Sequence, residues 1–231
     1  MTDWIQEGKE NSCCISFRHV SRIFMDCPEP IAALKNVNLE IGYGEFVSIM
    51  GTSGSGKTTL LNLAAGLDTP TSGEILIHGQ YINDLQQDQL TIFRRRQIGM
   101  VHQNFNLLDI LNIKENITFP LELDGTLTDW TYIIKLCRML GIEQKLSVLP
   151  AQLSGGEQQK VAIARALAGK PAILLADEPT GNLDGRSGLD VLGLLKSMNQ
   201  ELGQTIMMVT HNLETAQFAD RIVRLADGRL L

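Results

Sequence analysis

The sequence predicts an α/β fold built on a largely parallel sheet, with a helix-rich segment inserted in the middle. Short apolar segments typical of strands alternate with segments of helical spacing, which is the order expected when helices connect parallel strands. Residues 104–160 carry mostly helical spacing and interrupt this alternation. At 231 residues the chain has the length of one domain with a small inserted lobe.

In the first part of the chain, alternating apolar and polar residues predict strands, and glycine or proline marks the turns between them. Strands are predicted at residues 14–24, 33–41, 45–50 and 74–78. A glycine- and serine-rich loop at 51–56 leads into a helix at 57–65, which Gly66 ends. Residues 1–12 are polar and are expected to be flexible.

In the second part, three apolar strands follow the helix-rich segment. Helices are predicted at 84–97, 157–168 and 188–202, and strands at 98–101, 173–176, 206–209 and 222–226. Asp227 and Gly228 predict a hairpin turn close to the end of the chain.

Charge and composition exclude several classes of protein. Twenty lysines and arginines against 26 acidic residues give a net charge of −6, which argues against a nucleic-acid partner. No apolar run approaches the roughly 20 residues needed to cross a bilayer. The first residues lack the pattern of a secretory signal, so we expect a cytoplasmic chain whose Cys13 and Cys14 are reduced packing residues.

Residues 51–58 read GTSGSGKT and match the phosphate-loop pattern G-x-x-x-x-G-K-[ST]. Glycines let consecutive backbone N–H groups face an anion, and the helix starting at Lys57 adds its positive end. Lys57 can reach the β- and γ-phosphates, and the Thr58 hydroxyl can ligate Mg²⁺. The strand before and the helix after favour a phosphate site over a turn that merely caps a helix. The candidate nucleotide-binding residues here are Gly51, Thr52, Ser53, Gly54, Ser55, Gly56, Lys57, Thr58 and Thr59.

The apolar strand at 173–176 ends in two acids, Asp177 and Glu178. The carboxyl end of a parallel strand is where α/β sheets place their sites. We interpret Asp177 as a ligand of Mg²⁺ and Glu178 as the residue that orients or deprotonates the attacking water. An acidic pair after a strand is by itself more often a cap or a turn, so this interpretation depends on the phosphate loop.

A second glycine-containing helix start reads LSGGE at residues 153–157. Ser154 and Glu157 form the sequence pattern of a capping box. A cap does not require Gly155 and Gly156, which expose N–H groups and make a second anion site. One nucleotide can use both helix starts only if they approach it from opposite sides.

In this order, the phosphate loop, LSGGE and LLADEPT resemble the motifs of ATP-binding-cassette (ABC) ATPases over about residues 14–231. The resemblance implies a P-loop NTPase (RecA-like) core sheet with an antiparallel β lobe. It places an inserted α-helical lobe at about 102–160 of a domain spanning 13–231. Within this resemblance, Gln103 matches the catalytic glutamine that lies at the hinge between the lobes and contacts the metal ion. Asp184 matches a residue of the loop that crosses the dimer interface. His211 matches the γ-phosphate histidine, and Phe24 stacks on adenine, although it is also readily interpreted as a core residue.

The resemblance also implies a function, namely hydrolysis of Mg-ATP that drives a membrane transporter or a mechanotransmitting permease. Two copies would pair head to tail, so that Ser154, Gly155 and Gly156 of one copy close over ATP bound by the other, and Glu157 and Asp184 are also expected among the nucleotide-binding residues. The expected partner is a polytopic permease with a large extracytoplasmic domain, with a sensor kinase as a further candidate. The chain would then lie at the cytoplasmic face of the membrane.

The finer branch depends on sequence details. The signature motif ends in Glu157, where the more usual residue is glutamine. This variant and segments such as GLDTPTSGE resemble the sequences of macrolide exporters, lipoprotein-release ATPases and bacitracin-resistance transporters. We favour the antimicrobial-peptide and macrolide-resistance type, with a lipoprotein-release or cell-division type as the alternative. A non-transport cassette ATPase is disfavoured by the single cassette and short insert, and a small-molecule kinase would not need LSGGE. Most apolar residues after Gln103 are expected in the core, with at least one of Phe105, Leu107 and Leu108 exposed for the permease.

Overall fold

The computed structural model describes residues 13–25 and 29–231, so the expected flexibility of residues 1–12 lies outside the described residues. The strands are β1 (Cys13–Phe24), β2 (Ile31–Gly42), β3 (Phe46–Met50), β4 (Ser72–Ile77), β5 (Gln80–Tyr81), β6 (Ile98–Val101), β7 (Ile173–Asp177), β8 (Thr205–Thr210), β9 (Arg221–Ala226) and β10 (Arg229–Leu230). The helices are α1 (Lys57–Ala64), α2 (Gln87–Gln97), α3 (Ile113–Leu123), α4 (Trp130–Met139), α5 (Gly155–Leu167), α6 (Gly185–Leu202) and α7 (Leu213–Ala216).

Two sheets organise the fold and confirm the predicted combination of a parallel core with an antiparallel lobe. The larger sheet has the order β10-β9-β3-β8-β7-β6, in which β9, β3, β8, β7 and β6 run parallel and β10 pairs antiparallel with β9. The smaller sheet has the antiparallel order β2-β1-β4-β5. The loops that follow the parallel strands therefore meet at one edge of the larger sheet.

The two faces of the parallel sheet bury two different apolar cores. Leu174 and Met208 belong to a core shared with α3, α4, α5 and α6, whereas Leu175 and Val209 belong to one shared with α1 and the antiparallel sheet. This division follows from the alternation of side chains along each strand. The central strands β3, β8 and β7 are buried on both faces, which explains their largely apolar sequences.

The helix-rich segment contains α3 and α4, which lie in the sequence between β6 and α5. Asn112 and Asp129 cap these helices by accepting hydrogen bonds from main-chain N–H groups. The capping box predicted at Ser154 is present, and α5 begins at Gly155, two residues before the predicted start. The boundaries 102–160 of the lobe stay a prediction.

Two further findings bear on the sequence interpretation. Cys13 and Cys14 are buried in β1 and free of disulfides, as expected for packing residues. Burial raises the pKa of the Cys14 thiol to about 11, which keeps it protonated and unreactive at neutral pH. In the described part of the chain, no helix is long and apolar enough to cross a membrane.

Candidate functional site

A cavity of about 1330 Å³ opens at the carboxyl edge of the parallel sheet. The structure brings most of the predicted phosphate-site residues together on its walls. Those that line it are Gly51, Thr52, Ser53, Gly54, Gly56, Lys57, Thr58, Thr59, Glu178 and His211. Residues from three separated motifs therefore share one cavity.

The phosphate loop has the conformation that its glycines permit. Gly54 and Gly56 adopt φ values of +78° and +104°, and a Cβ at Gly56 would lie 2.4 Å from the Ala33 carbonyl oxygen. Among the described residues no side chain caps α1 at Gly56, so the first N–H groups of this helix remain available to an anion. The loop therefore fits a phosphate group.

Lys57 is buried at the base of the loop, 7% exposed. Its Nζ donates hydrogen bonds of 2.8 Å to the carbonyl oxygens of Gly51 and Thr52. The Oγ of Ser55 is also buried, and it has no hydrogen-bond partner among the residues that the structure describes. A positive charge and an unpaired hydroxyl are thus held beside the cavity.

Asp177 is the last residue of β7, and Glu178 directly follows it. Burial raises the pKa of Asp177, and the negative charge of Glu178 raises it further, while His102 and Lys57 oppose the rise. Glu178 has a left-handed φ of +42°. For a residue other than glycine this conformation costs about 1–3 kcal/mol and persists only where neighbours enforce it. Here Glu178 N donates to Val209 O at 3.1 Å, and Gly181 N donates to Glu178 O at 2.9 Å.

His211 lies next to Glu178 on the cavity wall. The distance from His211 Nδ1 to Glu178 Oε1 is 2.8 Å. The Glu178 side chain is 24% exposed and that of His211 is 65% exposed. A carboxylate positioned by an imidazole is an arrangement suited to orienting or deprotonating a water molecule.

Gln103 and Asp184 lie outside the set of described residues that line the cavity. Gln103 is exposed, and its Nε2 donates to Asn182 Oδ1 at 3.2 Å, so it is tied to the loop before Asp184. Asp184 caps α6, where its Oδ1 accepts hydrogen bonds from the main chain of Arg186 and Ser187. Hydrogen bonds from Ser187 lower the pKa of Asp184. The roles of Gln103 at the metal and of Asp184 between copies stay predictions.

The LSGGE helix start is built as the sequence predicts, but it does not reach the cavity of its own chain. Ser154 N donates to Glu157 Oε2 at 2.9 Å, and Glu157 N donates to Ser154 Oγ at 3.3 Å. A hydrogen bond from Lys145 lowers the pKa of Glu157, so this carboxylate stays ionised. Ser154, Gly155, Gly156 and Glu157 are outside the described residues that line the cavity.

Phe24 lies at the end of β1, paired across the strands with Ile31. Ile31 lines the cavity, whereas Phe24 is outside the lining among the described residues. The guanidinium carbon of Arg22 is 4.6 Å from the centroid of the Phe24 ring. Phe24 therefore lies beside the rim, and its role in stacking on adenine stays a prediction.

The sequence interpretation missed the wall formed by β2 and the β9–β10 hairpin. The missed lining residues include Ile31, Lys35, Arg224, Asp227, Gly228 and Leu231. Gly228 connects the parts of this wall, since its N–H donates to Ser55 O at 3.1 Å and its carbonyl accepts from Lys35 N at 2.8 Å. The Asp-Gly pair signalled only a turn, and nothing in the sequence indicated that the turn contacts the phosphate loop.

The donors at the site fit a magnesium nucleotide. Thr58 carries a hydroxyl and lines the cavity wall, whereas Asp177, which ends β7 directly before Glu178, carries a carboxylate but is outside the described residues that line the cavity. Hydroxyl and carboxylate oxygens are the ligands Mg²⁺ prefers, together with phosphate oxygens and water. The thiols of Cys13 and Cys14 lie in the apolar β1 strand and take no part in the cavity wall among the described residues.

Comparison with known proteins identifies close relatives. A family model described as ABC transporter matches residues 34–181. The chain is 46% identical over 222 residues to the uncharacterized ABC transporter ATP-binding protein MJ0796 of Methanocaldococcus jannaschii, covering 94% of each chain. It is 46% identical over 202 residues to the macrolide export ATP-binding/permease protein MacB of Syntrophobacter fumaroxidans, covering 86% of this chain but 28% of that protein.

Comparison with solved structures also finds cassettes of ABC transporters. The chain superposes with a TM-score of 0.83 and 45% identity on the dimeric post-hydrolysis structure of the cassette MJ0796 bound to ADP and Pi. The match covers 94% of this chain and 96% of that one. CbiO1 from Clostridium perfringens, part of the transporter complex CbiONQ, matches with a TM-score of 0.86 at 28% identity, covering 95% of this chain and 87% of that one.

Proposed function

The chain belongs to the ABC transporter ATPase family, and from that premise we propose that two copies pair head to tail around two molecules of Mg-ATP. The protein is an ATP-binding ATPase of a transporter. The observation that carries the proposal is the separation of the two glycine-rich helix starts. The loop before α1 lines the cavity, whereas the start of α5 lies outside it. A second copy can bring the α5 start of one chain to the phosphates held by the other.

At each site, different residues of one chain would bind the phosphates, the magnesium ion and the adenine. Lys57, whose Nζ is fixed by the carbonyls of Gly51 and Thr52, would hold the phosphates together with the N–H groups of the phosphate loop. Thr58, Asp177 and Gln103 would hold Mg²⁺, which neutralises charge on the transferred phosphate when bound. Phe24 and Ile31 at the rim would contact the adenine.

Glu178 and His211 would take part in the hydrolysis step itself. Glu178 orients the attacking water and takes up its proton. His211 would hold the Glu178 carboxylate in place through the contact between them, and it would also contact the γ-phosphate. From the other copy, Ser154, Gly155 and Gly156 stabilise the γ-phosphate through N–H groups at the positive end of α5, and Asp184 lies at the contact between copies.

The partner outside the dimer would be a membrane permease. The MacB relatives are named ATP-binding/permease proteins, and this chain spans 28% and 33% of two of them. We propose that here the permease, with a large extracytoplasmic domain, is a separate chain that holds the ATPase at the cytoplasmic face of the membrane. The relatives give no support for the sensor kinase.

The transport type we propose is export of macrolides or resistance to antimicrobial peptides. Two MacB proteins, whose names state macrolide export, support it at 46% and 43% identity. Lipoprotein release or a cell-division role is the alternative within the same branch.

Sedimentation of the purified chain tests the composite site. With Mg²⁺ and a non-hydrolysable ATP analogue, the chain should change from monomer to dimer, because each nucleotide then bridges two copies. A chain that binds the analogue and remains monomeric would contradict the head-to-tail proposal. Isolation from detergent-extracted membranes together with a polytopic protein would separate a transport role from the non-transport classes.

A further inference from the structure

We infer that Gln159 is a positioning residue for ATP hydrolysis, because its side-chain amide ties the main chain beside Gln103 and beside Glu178 to helix α5. Gln159 lies within α5, and its side chain is fully buried. The inference rests on the roles proposed above for Gln103 and Glu178. It adds a residue that none of the sequence motifs singled out.

The geometry of the amide supports this inference. Gln159 Nε2 donates to Pro179 O at 2.7 Å and to His102 O at 3.3 Å. Pro179 directly follows Glu178, and His102 directly precedes Gln103. The two carbonyls follow the neighbouring strands β7 and β6, which pair Ala176 with Val101. One buried side chain therefore joins both strand ends to α5.

On the β7 side, the amide helps to hold a strained main chain. Glu178 adopts a left-handed φ of +42°, which persists only where several contacts enforce it. Val209 and Gly181 supply two of these contacts from the sheet and the following loop. Gln159 supplies the contact to α5 through Pro179 O. Loss of the amide would let the Glu178 main chain relax and displace its carboxylate.

On the β6 side, Gln159 is one of two α5 side chains that, among the described residues, donate hydrogen bonds to an irregular segment. Residues 102–112 form neither helix nor strand, so their carbonyls need other partners. Arg165, also on α5, donates to Phe105 O at 2.9 Å and to Asn106 O at 2.6 Å. Gln159 and Arg165 therefore hold this segment at two points, and a shift of α5 would move Gln103.

A glutamine at this position has an energetic cost as well as a benefit. The Gln159 Oε1 is buried and has no hydrogen-bond partner among the residues that the structure describes. A buried, unpaired amide oxygen is unfavourable, and an apolar side chain of similar length would avoid it. What glutamine provides and an apolar side chain lacks is the donating NH₂ group, which is directed at the two site carbonyls.

In the proposed dimer this connection would link the two ATP sites. Helix α5 begins with Gly155 and Gly156, which would contact the ATP of the partner copy. Through Gln159 the same helix contacts the main chain next to Glu178 of its own copy. A displacement of α5 on dimer closure would thus reach the catalytic acid of the same chain.

The test compares Gln159→Met with Gln204→Met in the purified chain. Gln204 is a matched control, since its buried Nε2 also donates to two carbonyls, those of Pro171 and Thr205, at the opposite edge of the sheet. We expect Gln159→Met to lower kcat about 10- to 100-fold with ATP affinity and KM within about twofold, because catalysis is sensitive to small displacements. Gln204→Met should keep the kcat of the unmodified chain. Equal kcat values in the two variants would overturn the inference.

Gln159→Glu keeps the inference testable if Gln159→Met fails to fold. A neutral carboxyl can donate its O–H to Pro179 O, whereas an ionised carboxylate cannot. Burial raises the pKa of such a carboxyl, so the turnover of the variant relative to the unmodified chain should fall between about pH 6 and about pH 9. A constant ratio near one would overturn the inference. Failure of Glu178→Gln to impair turnover would instead contradict the proposed catalytic role itself.

Discussion

His211 Nδ1 and Glu178 Oε1 lie 2.8 Å apart where β8 and β7 end at the cavity. A carboxylate can only accept hydrogen bonds, so when Glu178 is ionised this contact requires a proton on His211 Nδ1. The Nε2 atom of the ring is then left for a second partner, such as a phosphate oxygen. The pair therefore connects the proposed catalytic acid to the place where the γ-phosphate would lie.

Glu178→Gln should lower ATP turnover by about 10²- to 10⁴-fold while ATP affinity stays unchanged. The amide keeps the shape of the carboxylate and can still accept from His211, but it cannot take up a proton. Steady-state hydrolysis and equilibrium ATP binding measure the two effects, and sizing with Mg-ATP should show an accumulated dimer. Glu74→Gln, on the exposed face of β4, is the control. Unimpaired hydrolysis would remove Glu178 from this role.

Lys57→Ala should weaken ATP binding and abolish turnover. The substitution deletes the buried ammonium that is fixed on Gly51 O and Thr52 O, and with it the main cation at the phosphates. Fluorescence titration with a nucleotide analogue measures affinity, and Lys135→Ala, at an exposed position of α4, controls for loss of charge. The phosphate-loop assignment is wrong if Lys57→Ala binds and hydrolyses ATP normally.

Gly155→Asp should leave the monomer folded and able to bind ATP but block formation of the ATP-dependent dimer. A Cβ at Gly155 would meet Leu183 and Phe105 at 3.4 Å and 3.5 Å, which are ordinary contacts, so the charge is the damaging element. Gly155→Ala is the matched control, since it adds the Cβ without the charge and should impair the dimer less. Sedimentation with a non-hydrolysable analogue distinguishes them. A dimer of normal affinity in Gly155→Asp would place the contact elsewhere.

Ser154→Ala should act in a different way. It removes the Ser154 hydroxyl that caps α5, which costs about 1 kcal/mol of stability. It also removes one hydroxyl from the proposed contact with the γ-phosphate of the other copy. Thermal unfolding should therefore detect this variant, and the dimer should be weakened rather than abolished. An unchanged melting temperature would show that the cap contributes little.

The local sequence patterns predicted most elements and the phosphate site, because each depends on neighbouring residues. The loop from Gly51 to Thr58 needs glycines, a lysine and a threonine within eight residues, and this spacing is visible in the sequence. Strand order and the contacts of the β9–β10 hairpin depend on residues far apart in the chain. Gly228 contacts Ser55 across such a distance, and no local pattern encodes that contact.

Two further differences have physical causes. The prediction began α5 at Glu157 because glycine disfavours helix interiors, but Gly155 and Gly156 occupy the first turn, where Ser154 caps the helix. The expectation that most apolar residues after Gln103 fill the core was wrong. Of the six at 105–113, Ile113 is buried and the others are partly or fully exposed, since they precede α3 in an irregular segment.

Asp124→Asn should weaken the attachment of the segment that connects α3 and α4 to helix α2. A hydrogen bond from Thr126 and the guanidinium groups of Arg96 and Arg95 lower the pKa of Asp124. A lowered folded-state pKa means that the stabilisation is complete above the unfolded pKa of about 4 and is lost as the pH falls through the lower folded value. The melting temperature of Asp124→Asn should thus fall below that of the unmodified chain at neutral pH, with the difference shrinking in acid.

The control for this change is Asp190→Asn, because Asp190 is exposed on α6 and the described residues give it no ion pair. It removes the same charge and should leave the melting temperature nearly unchanged at every pH. A difference for Asp124→Asn that does not shrink as the pH falls below about 4 would mean that packing, not charge, accounts for the effect.

Leu108 is an exposed residue whose main chain is fixed by hydrogen bonds, which makes it a suitable probe of the permease contact. Its side chain is 40% exposed, while Leu108 N and O are hydrogen-bonded by the buried Asn116. This finding confirms the expectation that at least one of Phe105, Leu107 and Leu108 is exposed. Ile110, two residues further, is 88% exposed, so an apolar surface follows Gln103.

Leu108→Glu should therefore uncouple hydrolysis from the permease and spare the basal ATPase activity of the isolated chain. The new charge would have to be desolvated when an apolar permease segment docks, whereas in the isolated chain it stays in water and the backbone remains anchored by Asn116. Ile222→Glu, at a similar exposure of 37% on β9, should not affect coupling. Stimulation of ATPase activity by the reconstituted permease measures coupling. Normal stimulation of Leu108→Glu would mean that the permease docks on another surface, because an unpaired carboxylate within an apolar contact cannot be accommodated without cost.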